Sequence, residues 1–350
     1  MARISKKEKD TSFISKMEDK FGEDFKDVII TTTDSSGVIS TGSFSLDVSI
    51  GIGGIPLSKA TTIWGAESSG KTTMALSICG NCIRQLGRKA LYIDVENQMD
   101  FERIVELVGN ESVENGMIIV AKPKTAENAF EIAEHAINSK EFGVVVFDSV
   151  AALSPQTMQD REFNESEFAP TSKLINRFML RNGYNIRVNK IAIVFINQVR
   201  DKIGAFRKSY DMPGGHALKH FSSVIVYLSK KTDMVQDKEV IGQTVQFVIK
   251  KNKVGKPISS FIFPLFFENG IDYWRDLVQF CEAVGVLDRA GPYYKFEGET
   301  LEQGLVKTMQ YLKDHPETLD RIRNRVYNSG VIKTTDEGEE LEEANEDSND

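Results

Sequence analysis

The chain has 350 residues, of which 41% are hydrophobic and 27% charged, as is typical of a globular protein with a sizeable core. No apolar stretch approaches the roughly 18 residues of a membrane helix, and no apolar segment follows the charged N-terminus, so we expect a cytoplasmic protein without a membrane partner. The three cysteines, Cys79, Cys82 and Cys281, are too few for a disulfide framework, and Cys79 and Cys82 lack the second pair that a zinc site needs.

The first part of the chain predicts an N-terminal segment followed by a large α/β core. Residues 1 to 34 carry apolar side chains three and four apart, as in a short amphipathic helix. From 35 to 272, apolar runs alternate with helical patterns, and the first five runs are apolar on both faces, like parallel strands covered by helices. Three later runs leave little room for crossover helices and predict an antiparallel extension at one edge.

A phosphate-binding pattern lies near the start of this core. Residues 65 to 73, GAESSGKTT, follow an apolar run and match G-x-x-x-x-G-K-[ST]. In such a loop, backbone N–H groups and the N-terminus of the next helix surround a phosphate, the lysine reaches it, and the hydroxyl holds magnesium. The pattern predicts that the nucleotide is bound by Gly65, Ala66, Glu67, Ser68, Ser69, Gly70, Lys71, Thr72 and Thr73.

Acidic residues follow two further predicted strands. Asp148 follows four apolar residues, where it can hold magnesium through water, and a helix N-cap is the alternative role. Asp94 and Glu96 lie just beyond another strand, where a carboxylate can orient or deprotonate water against a γ-phosphate. We expect Glu96 to have this role because Asp94 lies deeper in the strand. An exposed loop acid without a catalytic role is the alternative for Glu96.

The amides of Asn197 and Gln198 terminate a third strand, at the edge where ligands bind in open α/β sheets. They could sense a γ-phosphate and transmit its presence to the next loop, although a simple strand cap would also explain them. Long polar connections occupy residues 154 to 170 and 200 to 220. Loops of this length in a compact domain are usually functional or disordered.

Cationic residues gather in and between these loops. Basic and aromatic side chains alternate in the second loop, which suits a nucleic-acid strand. Lys173, Arg177 and Arg181 recur every four residues, which is commonly a solvated helix stripe, but the neighbouring basic loops favour DNA contact. Four lysines between 250 and 256 are available to a phosphate on DNA or on a neighbouring subunit's nucleotide.

The last part of the chain changes character twice. Residues 273 to 335 are more polar and largely helical, and predict a small module that needs the neighbouring domain for stability. Residues 336 to 350 contain nine acidic and no basic side chains, so the net charge of −8 arises from this segment. We expect this segment to be disordered. It would act either as a solubilising end or as a competitor of polyanions for basic surface, and its charge by itself favours the solubilising role.

Several segments together resemble bacterial RecA recombinases from about residue 35 to 330: STGSFSLD, GAESSGKTT, YIDVEN, VVFDSVAALSP, FINQVRDKIG, PGGHALKHFSS, KKNKVGKP and ENGIDYWRDL. The resemblance implies a RecA-type P-loop NTPase core with a mostly parallel sheet flanked by helices, an N-terminal helix docked on a neighbouring protomer, and a small α+β C-terminal domain. It implies a DNA-dependent ATPase that uses ATP and Mg²⁺. Such a protein forms a helical filament on single-stranded DNA, pairs it with homologous double-stranded DNA and exchanges strands in recombination and repair.

The resemblance also implies roles for individual residues. Lys71 and Thr72 would bind phosphate and magnesium, Asp148 would be the Walker B acid, Glu96 would activate water, and Gln198 would sense the γ-phosphate. Further nucleotide contacts are expected from Asp100, Arg103 and Trp274, and, across a subunit interface, from Lys251 and Lys253. The two DNA-binding loops and the helix between them would supply Lys173, Arg177, Arg181, Arg200, Lys202, Phe206, Arg207, Gly214 and Gly215.

Some positions depart from the family pattern. Arg103 stands where a tyrosine commonly stacks on adenine, so a cation–π contact would replace that stacking or the stacking would be weaker. His220 stands where a phenylalanine usually connects ATP to DNA, and Leu180 where a DNA-contacting arginine is usual. These departures, together with a poorly matched first loop, suggest a divergent member carried by a phage or mobile element.

Three other functions share parts of these patterns. A ring-forming hexameric helicase would use the same core, and a DNA-coating scaffold would use ATP only to set its affinity. A metabolic P-loop kinase would need a small-substrate pocket, for which the sequence has no visible signature. The two loops and Lys251 with Lys253 favour the recombinase.

Overall fold

The fold is known from a computed structural model that describes residues 17, 20–22, 37–155, 170–201, 210–211, 215–255 and 260–328. The predicted N-terminal segment, except for residues 17 and 20–22, and the acidic segment 336–350 lie outside the described residues. Within these ranges, no helix combines the length and apolar character that crossing a membrane requires.

Strands form the centre of the molecule and a smaller sheet near the C-terminus. In chain order, the strands of the described residues are β1 (Val38–Ile39), β2 (Ile55–Pro56), β3 (Ala60–Gly65), β4 (Lys89–Asp94), β5 (Ile118–Ala121), β6 (Phe142–Asp148), β7 (Ala192–Gln198), β8 (Arg200–Asp201), β9 (Tyr210–Asp211), β10 (Ser222–Gln236), β11 (Glu239–Asn252), β12 (Ser260–Phe266), β13 (Gly270–Ile271), β14 (Asp288–Ala290), β15 (Tyr293–Phe296) and β16 (Glu299–Gln303).

Helices cover this sheet and build most of the C-terminal module. In the described residues they are α1 (Phe44–Ile50), α2 (Lys71–Leu86), α3 (Phe101–Val108), α4 (Asn110–Glu114), α5 (Ala126–Ser139), α6 (Pro170–Val188), α7 (Gly215–Phe221), α8 (Tyr273–Ala283), α9 (Leu305–Asp314) and α10 (Pro316–Asn328).

The central sheet has the spatial order β13-β12-β11-β10-β3-β7-β6-β4-β5. All neighbours from β10 to β5 are parallel, whereas β11, β12 and β13 continue the sheet in antiparallel fashion. The predicted α/β class and the mostly parallel sheet are confirmed. The predicted antiparallel extension is confirmed by the pairing of β10 with β11 and of β11 with β12. Strand β10 also pairs in parallel with β3, because the connection from Gln198 to Ser222 contains α7 and allows a parallel crossover.

Each face of the sheet is covered by its own apolar core. Successive residues of β6 point to opposite faces, so Val144 and Val146 pack with α2, whereas Val145 and Phe147 pack with α5 and α6. This burial on both faces explains why the strands are continuously apolar in the sequence. It also favours the strand ends as positions for polar functional side chains.

The C-terminal module packs against the core through α1. Its own core contains residues of α8, β15, β16, α9 and α10 together with Phe44 and Val48 of α1. The ring of Phe44 meets Tyr273 and Phe280 edge-on, with centroid distances of 5.9 and 6.0 Å. The module therefore shares part of its apolar core with the larger domain, as its small size requires.

Candidate nucleotide-binding site

The candidate site lies where several parallel strands end at one edge of the sheet. Gly65, at the end of β3, is in register with Gln198 at the end of β7. Asp94, at the end of β4, is in register with Asp148 at the end of β6. Because parallel strands present their carboxyl ends together, residues far apart in the chain meet beside the phosphate-binding loop.

Two glycines of the loop are required by its geometry. Gly70 adopts a φ of 89°, and a Cβ there would lie 2.6 Å from Leu265 Cδ1. At Gly65, a Cβ would collide with the Leu228 carbonyl oxygen on the neighbouring strand. A side chain at either position would thus move the loop or the adjacent strand.

The loop is also braced by a side chain that the sequence analysis did not identify. Gln243 of β11 is buried, and its Nε2 donates a hydrogen bond of 2.7 Å to the Ser68 carbonyl oxygen. The sequence carries no specific signal for this role, because β11 contains several polar side chains, including a second glutamine, Gln246. Its burial requires that the amide of Gln243 find a hydrogen-bond partner within the protein. This hydrogen bond supports the backbone of the phosphate-binding loop from the antiparallel part of the sheet.

Lys71, the first residue of α2, is largely buried, and its Nζ donates to the Ala66 carbonyl oxygen at 2.6 Å. Burial lowers the pKa of this amine, while the nearby carboxylates of Asp148, Glu96 and Glu67 oppose that effect. Ser69 Oγ is buried without a hydrogen-bond partner among the described residues. A desolvated cation and an unpartnered hydroxyl at a helix N-terminus fit a phosphate group.

Thr72 and Asp148 form the second part of the site. Thr72 Oγ1 donates to Asp148 Oδ2 at 2.9 Å, and the phenol of Tyr92 donates to the same oxygen. Burial raises the pKa of Asp148, and these two hydrogen bonds counteract the rise. A hydroxyl beside a carboxylate is an oxygen donor set that suits magnesium.

Tyr92 was also missed by the sequence analysis. It lies on buried strand β4 and is fully buried, so its phenol needs a partner within the protein. That requirement is a weak signal in the sequence, because it does not say which residue the phenol contacts. Only the pairing of β4 with β6 brings it to Asp148.

Glu96 lies beside the end of β7. Its Oε1 accepts a hydrogen bond of 2.8 Å from Gln198 Nε2 and another from the hydroxyl of Ser149, a residue not predicted from the sequence. Asp94 is used differently, since its carboxylate accepts from the backbone N–H groups of Gln98 and Met99 at 3.3 and 3.0 Å. Asp94 therefore closes the loop after β4, whereas Glu96 faces the neighbouring strand ends.

The three further predicted nucleotide contacts, Asp100, Arg103 and Trp274, lie in different parts of the structure. Asp100 caps α3 by accepting from the Glu102 N–H at 3.1 Å. Arg103 donates to the carbonyl oxygens of Phe267 and Glu268 and pairs with Glu106 at 2.8 Å. Trp274 lies in α8 of the C-terminal module and packs against that module's core, with Lys313 Nζ 5.6 Å from its ring centroid.

The predicted DNA contacts are only partly described. Lys173, Arg177 and Arg181 are exposed on α6, and Arg181 pairs with Glu134 of α5 at 2.9 Å. Arg200 belongs to β8, and Gly215 begins α7. Outside the described residues lie the remaining predicted contacts, Lys202, Phe206, Arg207 and Gly214, and nearly all of the first loop.

Lys251 connects the antiparallel part of the sheet to α7. Its Nζ donates to the carbonyl oxygens of Lys219 and His220, the latter at 3.3 Å, at the C-terminal end of that helix. Burial and the charge of Lys253 lower the pKa of Lys251. The lysine therefore satisfies helix carbonyls and complements the negative end of the helix dipole.

The described part of the chain contains no further candidate metal-binding cluster. No group of three or more His, Cys, Asp or Glu side chains is placed to hold a metal ion there. Cys79 and Cys82 are buried thiols of α2, and burial raises the pKa of both. Their spacing thus reflects one packed helix face.

Comparison with known families gives two matches that together span most of the chain. Residues 9–272 match the RecA N-terminal domain, and residues 275–329 match the RecA C-terminal domain. Among curated relatives, Protein RecA of Thioalkalivibrio sulfidiphilus is 32% identical over 337 residues, covering 95% of this chain and 96% of the relative. Protein RecA of Aquifex aeolicus is 35% identical over 289 residues, covering 82% of each chain. Protein RecA of Geobacter sulfurreducens is 33% identical, covering 84% of this chain and 86% of the relative.

Proposed function

Because the chain belongs to the RecA family, we propose that it is an ATP-dependent recombination protein, a DNA-dependent ATPase that forms filaments on single-stranded DNA and exchanges homologous strands. In this proposal, residues 35–272 are the ATPase core with two DNA-binding loops and 273–335 a C-terminal domain. Residues 1–34 join neighbouring protomers in the filament. Single-stranded and double-stranded DNA are the partners.

The phosphate-binding loop would hold the triphosphate of ATP. Backbone N–H groups of residues 66 to 70 and the N-terminus of α2 would donate to the phosphates. Lys71 would exchange the Ala66 carbonyl oxygen for a phosphate oxygen, which relieves the cost of its burial. Thr72 and Asp148 would hold magnesium, the latter through water, and the bound ion would neutralise charge on the β and γ phosphates.

The observation that carries the proposal is the hydrogen bond between Glu96 and Gln198. A carboxylate beside the phosphate loop can take a proton from the attacking water. Gln198 ends β7, and the chain then enters residues 200–215, the proposed second DNA-binding loop. One contact therefore connects the group proposed to activate water with the segment proposed to grip DNA.

Lys251 would extend this connection across a subunit interface. In the single chain its amine satisfies carbonyls at the end of α7, the helix that follows the second loop. We propose that Lys251 and Lys253 reach the phosphates of a neighbour's ATP when protomers assemble. ATP binding and the position of α7 would then depend on each other.

The decisive experiment measures strand exchange between homologous DNAs, together with ATP hydrolysis with and without single-stranded DNA. We expect strand exchange and a strong rise in hydrolysis with DNA. Lys71→Ala should abolish both. Lys89→Ala, which removes a lysine from a surface ion pair with Glu141, is the matched control and should leave both intact. Equal hydrolysis with and without DNA would contradict the proposal.

Electron microscopy distinguishes the proposed recombinase from a hexameric helicase built on the same core. With ATP and single-stranded DNA, the recombinase forms filaments, whereas a helicase closes into rings and unwinds duplex DNA. A protein that uses ATP only to coat DNA would form filaments whose turnover is unchanged in Glu96→Gln. A metabolic kinase would transfer phosphate to a small molecule without DNA.

A further inference from the structure

Tyr92 places a buried hydroxyl at the candidate magnesium site. Its side chain, on β4, belongs to the apolar core between the sheet and α2. The residue in register with it on β6 is Val146, which lies in the same core, and Asp148 follows two residues later on the same face of that strand. The phenol therefore reaches the Asp148 carboxylate from inside the core.

The hydroxyl of Tyr92 requires a partner in this location. A phenylalanine would fill nearly the same space, whereas a buried hydroxyl destabilises a core unless it forms a hydrogen bond. The phenol donates its hydrogen bond to the carboxylate of Asp148. Burial and the charge of Asp148 both raise the pKa of Tyr92, so the phenol stays protonated and remains the donor.

The two oxygens of the Asp148 carboxylate have different surroundings. Oδ2 accepts from the phenol of Tyr92 and, at 2.9 Å, from Thr72 Oγ1. The residues that the structure describes donate no hydrogen bond to Oδ1. Asp148 is partly exposed at the end of β6, so Oδ1 remains an acceptor for a donor from outside the chain, such as water.

Two donors on one oxygen fix the orientation of this carboxylate. The terminal torsion of an aspartate side chain is broad, so a single donor defines the plane of the carboxylate poorly. Thr72 lies in the first turn of α2, and Tyr92 is held by the core around it. Because a hydroxyl has one proton and two lone pairs, Thr72 can donate to Asp148 and still offer a lone pair to a metal ion.

We propose that Tyr92 is a positioning residue for magnesium, because its phenol holds Asp148 Oδ2 and so leaves Oδ1 as the acceptor for water bound to the ion. This inference rests on the proposed ATP site, but not on DNA binding or strand exchange. Loss of a group that orients a metal ligand commonly weakens metal binding 10–100-fold. Because Asp148 would itself hold the ion through water, we expect an effect of about tenfold, at the lower end of that range.

Magnesium titration of nucleotide binding, without DNA, tests this role in the full chain. Equilibrium binding of a fluorescent ADP analogue is measured against the free magnesium concentration for wild type and Tyr92→Phe, which removes only the hydroxyl. The midpoint of the magnesium dependence should rise about tenfold in the variant, and the affinity in excess EDTA should stay that of wild type. A midpoint equal to that of wild type would show that Asp148 merely satisfies the phenol, and would overturn the proposal.

Tyr294→Phe is the matched control. Tyr294 is also buried and also lies beside a carboxylate, that of Glu282, but it belongs to the C-terminal module. Thermal unfolding without ligands measures the stability that each tyrosine variant loses. Only Tyr92→Phe should shift the magnesium midpoint, whereas an equal shift in Tyr294→Phe would assign the effect to general destabilisation and contradict the proposal.

A double-mutant cycle with Asp148→Asn tests whether the phenol acts through the carboxylate. Asp148→Asn should itself raise the magnesium midpoint, and the addition of Tyr92→Phe should then shift it no further. Additive shifts would place the action of the phenol elsewhere and refute the proposal. A shifted midpoint in a protein that fails strand exchange would support the role of Tyr92 and count against the recombinase function alone. A wild-type protein that binds no magnesium with nucleotide would refute both.

Discussion

Asp276 Oδ2 of α8 accepts a hydrogen bond of 2.7 Å from Ser43 Oγ, which precedes α1 of the core. The same oxygen accepts from the Ser45 N–H at 3.0 Å, so one buried carboxyl holds the C-terminal module against the ATPase core. Burial raises the pKa of Asp276 to about 6 and that of nearby Asp47 to about 7, despite hydrogen bonds that oppose the rise. The junction between the two parts therefore contains two carboxyls whose pKa values lie well above those of ordinary aspartates.

These carboxyls predict that stability falls as the pH rises. A folded-state pKa above the ordinary value of 3.8 means that the folded protein retains protons that the unfolded chain releases. Their contribution is complete below about pH 4 and is lost as the pH rises through about 6 and 7. Each tenfold change in proton affinity corresponds to about 1.4 kcal/mol.

The measurement is urea unfolding of wild type and of the double variant Asp47→Asn with Asp276→Asn at pH 5, 6, 7 and 8. Between pH 5 and 8, wild type should lose on the order of 1 kcal/mol or more relative to the double variant. Asp233→Asn, at an exposed surface pair, is the control and should follow wild type. Parallel curves for wild type and the double variant would contradict the assignment.

Glu96→Gln should slow ATP hydrolysis by about 10²–10⁴-fold, because an amide cannot accept a proton from the attacking water. Nucleotide affinity should change little, since the amide keeps the size of the side chain. Steady-state hydrolysis and equilibrium binding of a fluorescent ATP analogue would measure the two effects. Glu106→Gln, at an exposed residue paired with Arg103, is the control and should hydrolyse ATP normally.

Gln198→Ala should uncouple ATP hydrolysis from its stimulation by single-stranded DNA. The substitution removes the hydrogen bond to Glu96 while leaving the phosphate-binding loop intact. We expect basal hydrolysis to persist and its stimulation by single-stranded DNA to fall at least tenfold. A stimulation ratio like that of wild type would show that the amide serves only as a strand cap.

Gly70→Ala should impair both folding and nucleotide binding. A left-handed conformation at an alanine costs about 1–2 kcal/mol, and the methyl group would also lie 2.6 Å from Leu265 Cδ1. Gly87→Ala shares the left-handed strain, with a φ of 61°, but its Cβ meets no atom within 4 Å. Thermal unfolding should therefore show a loss of stability in both variants. Only Gly70→Ala should lose nucleotide affinity.

Lys251→Met should weaken the effect of DNA on hydrolysis. Methionine keeps an apolar stem but removes the amine that donates to the end of α7 and, in our proposal, to a neighbour's ATP. We expect DNA-stimulated hydrolysis to fall at least tenfold and filaments to become shorter in electron micrographs. Lys250→Met, at the exposed neighbouring position, is the control and should retain both properties.

Local sequence patterns determined much of what can be said about this protein. The spacing of Gly65, Gly70, Lys71 and Thr72 predicted a phosphate-binding loop before a helix, and continuous apolar runs predicted a parallel sheet. The α/β class and the family predicted from these segments are confirmed. Such inferences succeed because a loop of fixed spacing and a strand buried on both faces each have a local signature.

Tertiary structure alone decided how the site is supported. Tyr92 and Gln243 are ordinary strand residues in the sequence, and only the pairing of strands brings them to Asp148 and Ser68. The parallel arrangement of β10 also depends on contacts between distant segments. A residue's neighbours in the chain determine its local conformation, whereas its partners in the core are determined by how the whole sheet assembles.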